Sequence, residues 1–390
     1  LQPIAGQLFG ARQEAEIGEE VRQALWLAAV LSVIGFVCLY FPQPLLSIAD
    51  APPVLHERTL SYLRILSLGL PASLAFRVYS SLTNAVGKPR LVMFLQVGAL
   101  VVKVPLNLWF IFGGFGMPAL GGPGCAIAST LINWLIAIVG MTVLVRVGFF
   151  RPFGIFSRFC WPVWRRQKAL LKLGIPMGLS YLIEVTSYTF MALFISHFGT
   201  TTLAGHQITG NIGAVLYMTP LSIGVASATL VSQAIGAQHF DAARSLARHG
   251  IALSCGIAVV YGVALFVLRP YVLMAYTPDA QIIAAAMPLL AIVVFYHLFD
   301  ALQITTAFVL RAYKVAVVPT VIYAVALWGI GLGGGYLLGF NVGGFAPESL
   351  QGARGFWVAN SVSLGVAGIG LFLYWRRVSR RHIPADAKPA

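Results

Sequence analysis

Two carboxylates are the residues of this chain best placed to do chemistry. Of its twelve acidic residues only Glu184 and Asp300 lie inside long apolar stretches, GIPMGLSYLIEVTSYTFMALF and LLAIVVFYHLFDALQITTAFVL. Inserting an ionisable side chain at the centre of a bilayer costs about 2.5–3.5 kcal/mol on insertion scales, so such residues mark ion or proton pathways. In a low dielectric the charge state of a carboxyl is governed by its neighbours. A poised pair can take up a proton on one side of a membrane and release it on the other. It can also hold Na+ together with backbone carbonyls and hydroxyls.

The surrounding residues supply partners. Tyr296 precedes Asp300 by four positions, one helical turn, and shares its face. Thr186, Ser187, Asn211 and Gln303 are further oxygen donors at similar depth. His297, three positions before Asp300, titrates in a range suited to a proton relay. Lys103 stands mid-span in GALVVKVPLNLWF, as a counter-ion, a cavity-facing charge or a structural residue. Arg77 lies within two turns of the end of its span and can snorkel. His206, in AGHQITGN, reads as an interfacial cap. The competing reading of the two acids is a pair of neutral, satisfied helix-to-helix hydrogen bonds.

These residues need a scaffold of spanning helices. The chain is 58% hydrophobic and 10% charged, against about 25% charged for a soluble domain. A spanning helix needs about 20 mostly apolar residues. Apolar runs predict helices at 21–42, 60–82, 91–113, 123–147, 169–197, 205–235, 245–269, 284–310, 315–340 and 353–376, with the tail of one more at 1–9. Pro71, Pro105, Pro176, Pro220 and Pro288 fall inside them and loosen or kink each helix. The segment 148–168, RPFGIFSRFCWPVWRRQK at its heart, is basic and aromatic and is expected to lie along the membrane surface.

The chain is also written twice. Residues from Gln7 to about Asn107 realign on themselves at a constant offset of 226: Gln7 on Gln233, Gly10 on Gly236, Arg22 on Arg248 and Lys88 on Lys314. After a slip the match resumes at offset 231, with Gly124 on Gly355. Duplicated multi-helix units are the build of transporters. The register implies two parallel six-helix copies, the first lacking one helix and most of a second. Asp300 pairs with Leu74, so the acid is a departure from the repeat.

Charge fixes the orientation. With the loop after residue 9 on the cytoplasmic side, 20 of the 26 Lys and Arg residues fall inside and four outside, Arg58, Arg64, Arg269 and Arg354. The positive-inside rule then places the C-terminus in the cytoplasm. The net charge of +14 therefore serves topology, and nucleic acid is excluded as a partner. Cys38, Cys125, Cys160 and Cys255 lie far apart without a CxxC pair and read as buried thiols. The chain carries no GxxxxGK[ST], HExxH or GxSxG, so neither an ATP-driven pump nor an enzyme is supported.

Several segments together resemble the multidrug and toxic compound extrusion (MATE) family in its NorM-like bacterial branch. They are PIAGQLFGA and its echo VSQAIGA, NAVGKPR, KVPLNLWFIFG, GGPGCAIA, IEV around Glu184, AGHQITGN, and YHLFDALQ through RAYK. The resemblance covers nearly all of 1–380. It implies twelve helices in two six-helix lobes, a V-shaped cavity of alternating access, and antiport of organic cations against H+ or Na+. It places the second-lobe cation site on Glu184, Tyr296 and Asp300. Lys103 stands where many relatives have Asn, which mildly favours protons.

The expectation is thus an all-α polytopic membrane protein of the cytoplasmic membrane. Its first lobe would span 1–147, a basic connector 148–168, the second lobe 169–377 and a cytoplasmic tail 378–390. Glu184, Asp300 and Tyr296 would bind the cation, with Lys103, His297, Asn211 and Gln303 as accessories and no metal beyond Na+ at the two acids. Tyr181, Tyr188, Phe190, Met191, Tyr217 and Met218 would line a cavity for flat, lipophilic cations. No cofactor is expected, and the unit would be a monomer in the lipid bilayer. A flippase for lipid-linked precursors is the alternative; it would want several Arg or Lys in its cavity, and only Arg77 and Lys103 lie in spans.

Overall fold

In a bilayer each backbone N–H and C=O needs an internal partner, and the helix supplies one for nearly all of them. The computed structural model describes residues 1–43, 53–114, 116, 118–157 and 159–381, and the described residues are overwhelmingly helical. Arg158 and Lys388 of the basic set, and the tail beyond Arg381, lie outside the described residues.

The chain divides into two compact units, Leu1–Leu170 and Leu171–Ala390. The first holds α1 (Gln2–Gly10), α2 (Glu14–Tyr40), α3 (Pro53–Leu68), α4 (Leu70–Ala85), α5 (Pro89–Phe112) and α6 (Gly122–Arg146). Next comes α7 (Trp164–Ser196), within which the division falls. The second unit continues with α8 (Thr200–Gly236), α9 (Phe240–Tyr276), α10 (Ala280–Ala312), α11 (Val317–Gly339) and α12 (Ala353–Arg381). Among the described residues nine helices are long and apolar enough to cross a membrane, and α3 with α4 makes a tenth, bent span.

All ten expected spans are present, and most run several residues further into polar sequence. Helix α2 begins at Glu14 because Glu14 and Glu16 suit the positive end of the helix dipole, a signal that hydropathy alone misses. The expected single helix 60–82 is two, bent by 46°. Pro71 sits in the first turn of α4, where its missing N–H does no harm. Helix α11 is continuous, but Ala324–Gly333 in its middle makes the wider i→i+5 turns of a π-helix.

The duplication is visible in the backbone. Helix α1 ends where the N–H groups of Ala11, Arg12 and Gln13 donate to the carbonyls of Gln7, Phe9 and Leu8, at 2.9, 3.1 and 2.9 Å. At the end of α8, Ala237, Gln238 and His239 donate to Gln233, Ile235 and Ala234 at the same three distances. Arg12 and Gln238 both take the left-handed conformation, φ 57° and 63°. At this turn the 226 offset holds hydrogen bond by hydrogen bond.

The first unit's core forms where Phe76, Tyr79 and Leu82 of α4 meet Ile132, Ile136 and Leu144 of α6, with Ile17 and Val21 of α2. Gly140 allows this approach, since a Cβ there would press on the Tyr79 ring at 3.1–3.4 Å. Gly140→Leu is expected to destabilise the unit by about 1–3 kcal/mol, the usual range for overpacking. A lower melting temperature of the purified protein in detergent checks this; an unchanged one contradicts it.

The connector differs from expectation. Residues 164–168 are already the first turn of α7. Phe150, Phe153 and Ile155 are buried in the first unit's core, so the segment does not merely lie along a surface. Arg22 of α2 donates to the carbonyls of Gly154 (2.6 Å) and Ile155 (3.2 Å), and the Trp26 indole donates to Cys160 O at 2.9 Å. Gln23 donates to Trp161 O at 3.0 Å and accepts from Val163 N and Gln167 Nε2, both at 2.9 Å. Arg166 pairs with Glu19 at 3.0 Å and Glu20 at 2.7 Å. The cysteines differ too: all four are free thiols, but Cys38 is exposed and the other three only half-buried.

Candidate functional site

Helix α10 is the centre of the second unit, packing on α8, α9 and α12. Its buried face carries Asp300, Ala301, Ile304, Ala307 and Val309. Asp300 is only 4% exposed. Gly205 lets α8 approach it closely: a Cβ there would meet the backbone of Ala286 at 3.1 Å.

Helices α7, α8, α10, α11 and α12 line a half-open cavity of about 290 Å3. Both acids line it, Glu184 from α7 and Asp300 from α10. They lie within electrostatic range of each other. Tyr217 of α8 and Tyr296 of α10 line the same cavity. Tyr181, Ser187 and Tyr188 of α7 add to the wall, as do Leu327 of the π-helical stretch and Trp357 and Asn360 of α12. The Ser187 hydroxyl donates to Leu327 O at 3.2 Å and fixes α7 against α11 there. From the last turn of α10, Arg311 reaches Glu184 electrostatically, with its guanidinium 4.4 Å from the Phe308 ring centre.

The structure thus brings together Glu184, Asp300, Tyr296, Tyr181, Tyr188 and Tyr217. The other expected residues stand elsewhere. His297 is turned to α9, stacked on Tyr261 with ring centres 6.4 Å apart. It lies about 100° round the helix from Tyr296, which is enough to leave the cavity face. Asn211, about 100° past Gly210, accepts from the Tyr276 hydroxyl at 2.7 Å. Gln303 is fully buried next to Tyr323, outside the lining. Met191 is buried in packing, its sulfur 3.8 Å from Asn360 Nδ2. Phe190 and Met218 are exposed and do not line the cavity. Thr186 bonds back to Leu182 O at 2.6 Å and accepts from the Trp328 indole. Lys103 belongs to the first unit, on α5, and is half-buried.

The lining also holds residues that the sequence does not single out. Trp357 and Asn360 stand in the apolar run 353–376, where Trp reads as packing and a single amide as a helix contact. His206 is not an interfacial cap but is fully buried.

Chemically, the cavity offers two carboxylates, phenolic hydroxyls, a serine hydroxyl and an amide. No Lys or Arg among the described residues lines it. Among the described residues no group of three His, Cys, Asp or Glu side chains gathers closely enough to hold a metal ion. Two acids among oxygen donors suit a proton or a monovalent cation, whereas Ca2+ takes six to eight oxygens.

The family model described as MatE matches residues 1–109 and 176–337. The chain belongs to the MATE family. It is 38% identical over 379 residues to a probable multidrug resistance protein NorM of Aromatoleum aromaticum, covering 97% of this chain and 81% of that one. It is 34% identical over 378 residues to the multidrug resistance protein PmpM of Pseudomonas aeruginosa, covering 97% and 79%. Its fold superposes with a TM-score of 0.88 on an outward-facing multidrug resistance MATE family transporter, at 18% identity, covering 98% and 83% of the two chains. The eukaryotic MATE transporter AtDTX14 gives 0.86 at 17% identity, covering 98% and 84%. This MATE protein is accordingly a multi-pass membrane protein of a multidrug efflux family, and a transporter rather than an enzyme.

Proposed function

We propose that this MATE protein exports lipophilic organic cations by alternating access, in exchange for H+ or Na+ bound at Glu184 and Asp300. One observation carries the reading. Of the chain's acids, the two set deep in apolar sequence come from different helices and converge on one aromatic-walled cavity. A cation and an organic drug then compete for the same carboxylates, which is the simplest form of exchange. Aromatic faces add a preference for cations, at about 0.5–2 kcal/mol per contact. The absence of Lys and Arg from the described lining argues against a lipid-pyrophosphate flippase.

The same reading sets the chain in a bacterial cytoplasmic membrane as a monomer, with its C-terminus inside. The Lys and Arg distribution supports that orientation.

Everted vesicles carrying the protein test the exchange. Ethidium added to vesicles holding an imposed pH gradient is expected to speed its collapse, read with a pH-sensitive dye. A Na+-coupled protein would instead move labelled Na+ and leave the dye unchanged. Ethidium accumulation that responds to neither gradient would sink the proposal.

A further inference from the structure

His206 is a buried polar residue next to the cavity that takes no part in the proposed cation site. It lies on α8, fully buried, and does not itself line the cavity. Its Nδ1 is 3.2 Å from the Trp357 indole Nε1. An indole N–H can only donate. Nδ1 must therefore accept, and the imidazole proton sits on Nε2. On its other side the His206 ring stacks on Tyr188, with centres 5.3 Å apart and planes 29° apart. Trp357 in turn meets Tyr296 edge-on at 5.4 Å. Tyr188, Trp357 and Tyr296 all line the cavity. One buried imidazole thus joins aromatic side chains from α7 and α12, and through Trp357 a third from α10.

Gly210 supports the same arrangement independently. It lies one turn after His206 on α8, where a Cβ would run into the Tyr188 hydroxyl. The Tyr188 ring is therefore held by a stack at one end and a close backbone approach at the other.

We infer that His206 is a positioning residue that fixes the Tyr188–Trp357 wall and so sets a preference for planar aromatic cations over non-planar ones. The inference rests on the proposed cavity as the substrate site. A planar cation needs two faces at fixed spacing and orientation, since aromatic pairs favour offset or edge-on geometries. A bulky tetraalkylammonium ion has no plane to match and senses mainly the two carboxylates. Losing the imidazole frees Trp357 to rotate and leaves its N–H without an acceptor, which degrades the wall but not the charge.

The test compares ethidium with tetrabutylammonium in gradient-driven uptake by everted vesicles. His206→Leu is expected to raise the half-saturating ethidium concentration about tenfold at nearly unchanged maximal rate. Tetrabutylammonium should shift less than about twofold, below the effect of one stacking contact. His206→Asn, whose amide oxygen can accept near the Nδ1 position, should recover most of the loss. A mere packing role would not be rescued by Asn and would lower both substrates alike. Trp357→Phe keeps a ring but removes the donor, and should give the same selective shift even where the Leu variant fails to reach the membrane. Equal losses for both cations, no loss for ethidium, or an Asn variant no better than Leu overturns the role of His206. Retained efflux in Glu184→Gln and Asp300→Asn would instead overturn the site itself. Full loss in those two alongside an unaltered His206→Leu and Trp357→Phe overturns the positioning role alone.

Discussion

Asp300→Asn and Glu184→Gln should each cut gradient-driven ethidium efflux by roughly a hundredfold or more, the scale seen when a positioned proton-transfer group is lost. The amides keep size and much of the hydrogen bonding, so the fold should survive, and only the ability to carry a charge or release a proton is removed. That contrast decides the matter. If the acids were permanently neutral hydrogen-bonding groups, amides would replace them with little effect. Asp300 should be the more sensitive of the two, being 4% exposed and held on the central helix. Glu184 is more open. Transport near wild-type levels in both variants, at equal protein in the membrane, would remove the cation site from these residues.

The second large effect is on stability. Gln23→Leu should destabilise the first unit by about 2–4 kcal/mol, because a buried polar group left unpaired costs about 1–3 kcal/mol and several are exposed to that loss at once. Gln23 is fully buried and bonds Trp161 O, Val163 N and the Gln167 amide. Leucine is close in size but satisfies none of them. The connector should then loosen from α2, read as a lower melting temperature and as faster tryptic cleavage at Arg165 and Arg166. Gln23→Glu keeps the acceptor for Val163 N and Gln167 and should lose less. Equal melting temperatures for wild type and Gln23→Leu would show that these bonds hold nothing.

The spans and the two acids were legible for one reason. An apolar run long enough to cross a bilayer leaves few alternatives, and a carboxylate within it stands out because its insertion is costly. The direction of a side chain was less legible. Tyr296 lines the cavity with Asp300, whereas His297, one residue on and about 100° round the helix from Tyr296, looks at Tyr261. Asn211 fails for the same reason, one residue past Gly210. The role of His206 depends on Trp357, 151 positions away, and nothing in AGHQITGN announces that partner. The connector showed its charge in the sequence but not its attachment, since most of its anchors are backbone carbonyls met by Arg22, Gln23 and Trp26 across more than 130 residues. The π-helical stretch of α11 left no periodicity to read, because its residues are apolar or glycine all round.

The paired turns after α1 and α8 show what duplication preserves. Arginine occupies the left-handed position in one copy and glutamine in the other, although glycine would adopt it without strain. The two sequences, LFGARQ and AIGAQH, share only Gly and Ala in the middle. What has stayed fixed is a set of three backbone hydrogen bonds, while the side chains over them have drifted apart. The turn behaves as an interchangeable joint whose specification is in the main chain. A gene that doubled once could keep such joints intact and still let each half acquire its own residues. Asp300 opposite Leu74 is one result of that freedom.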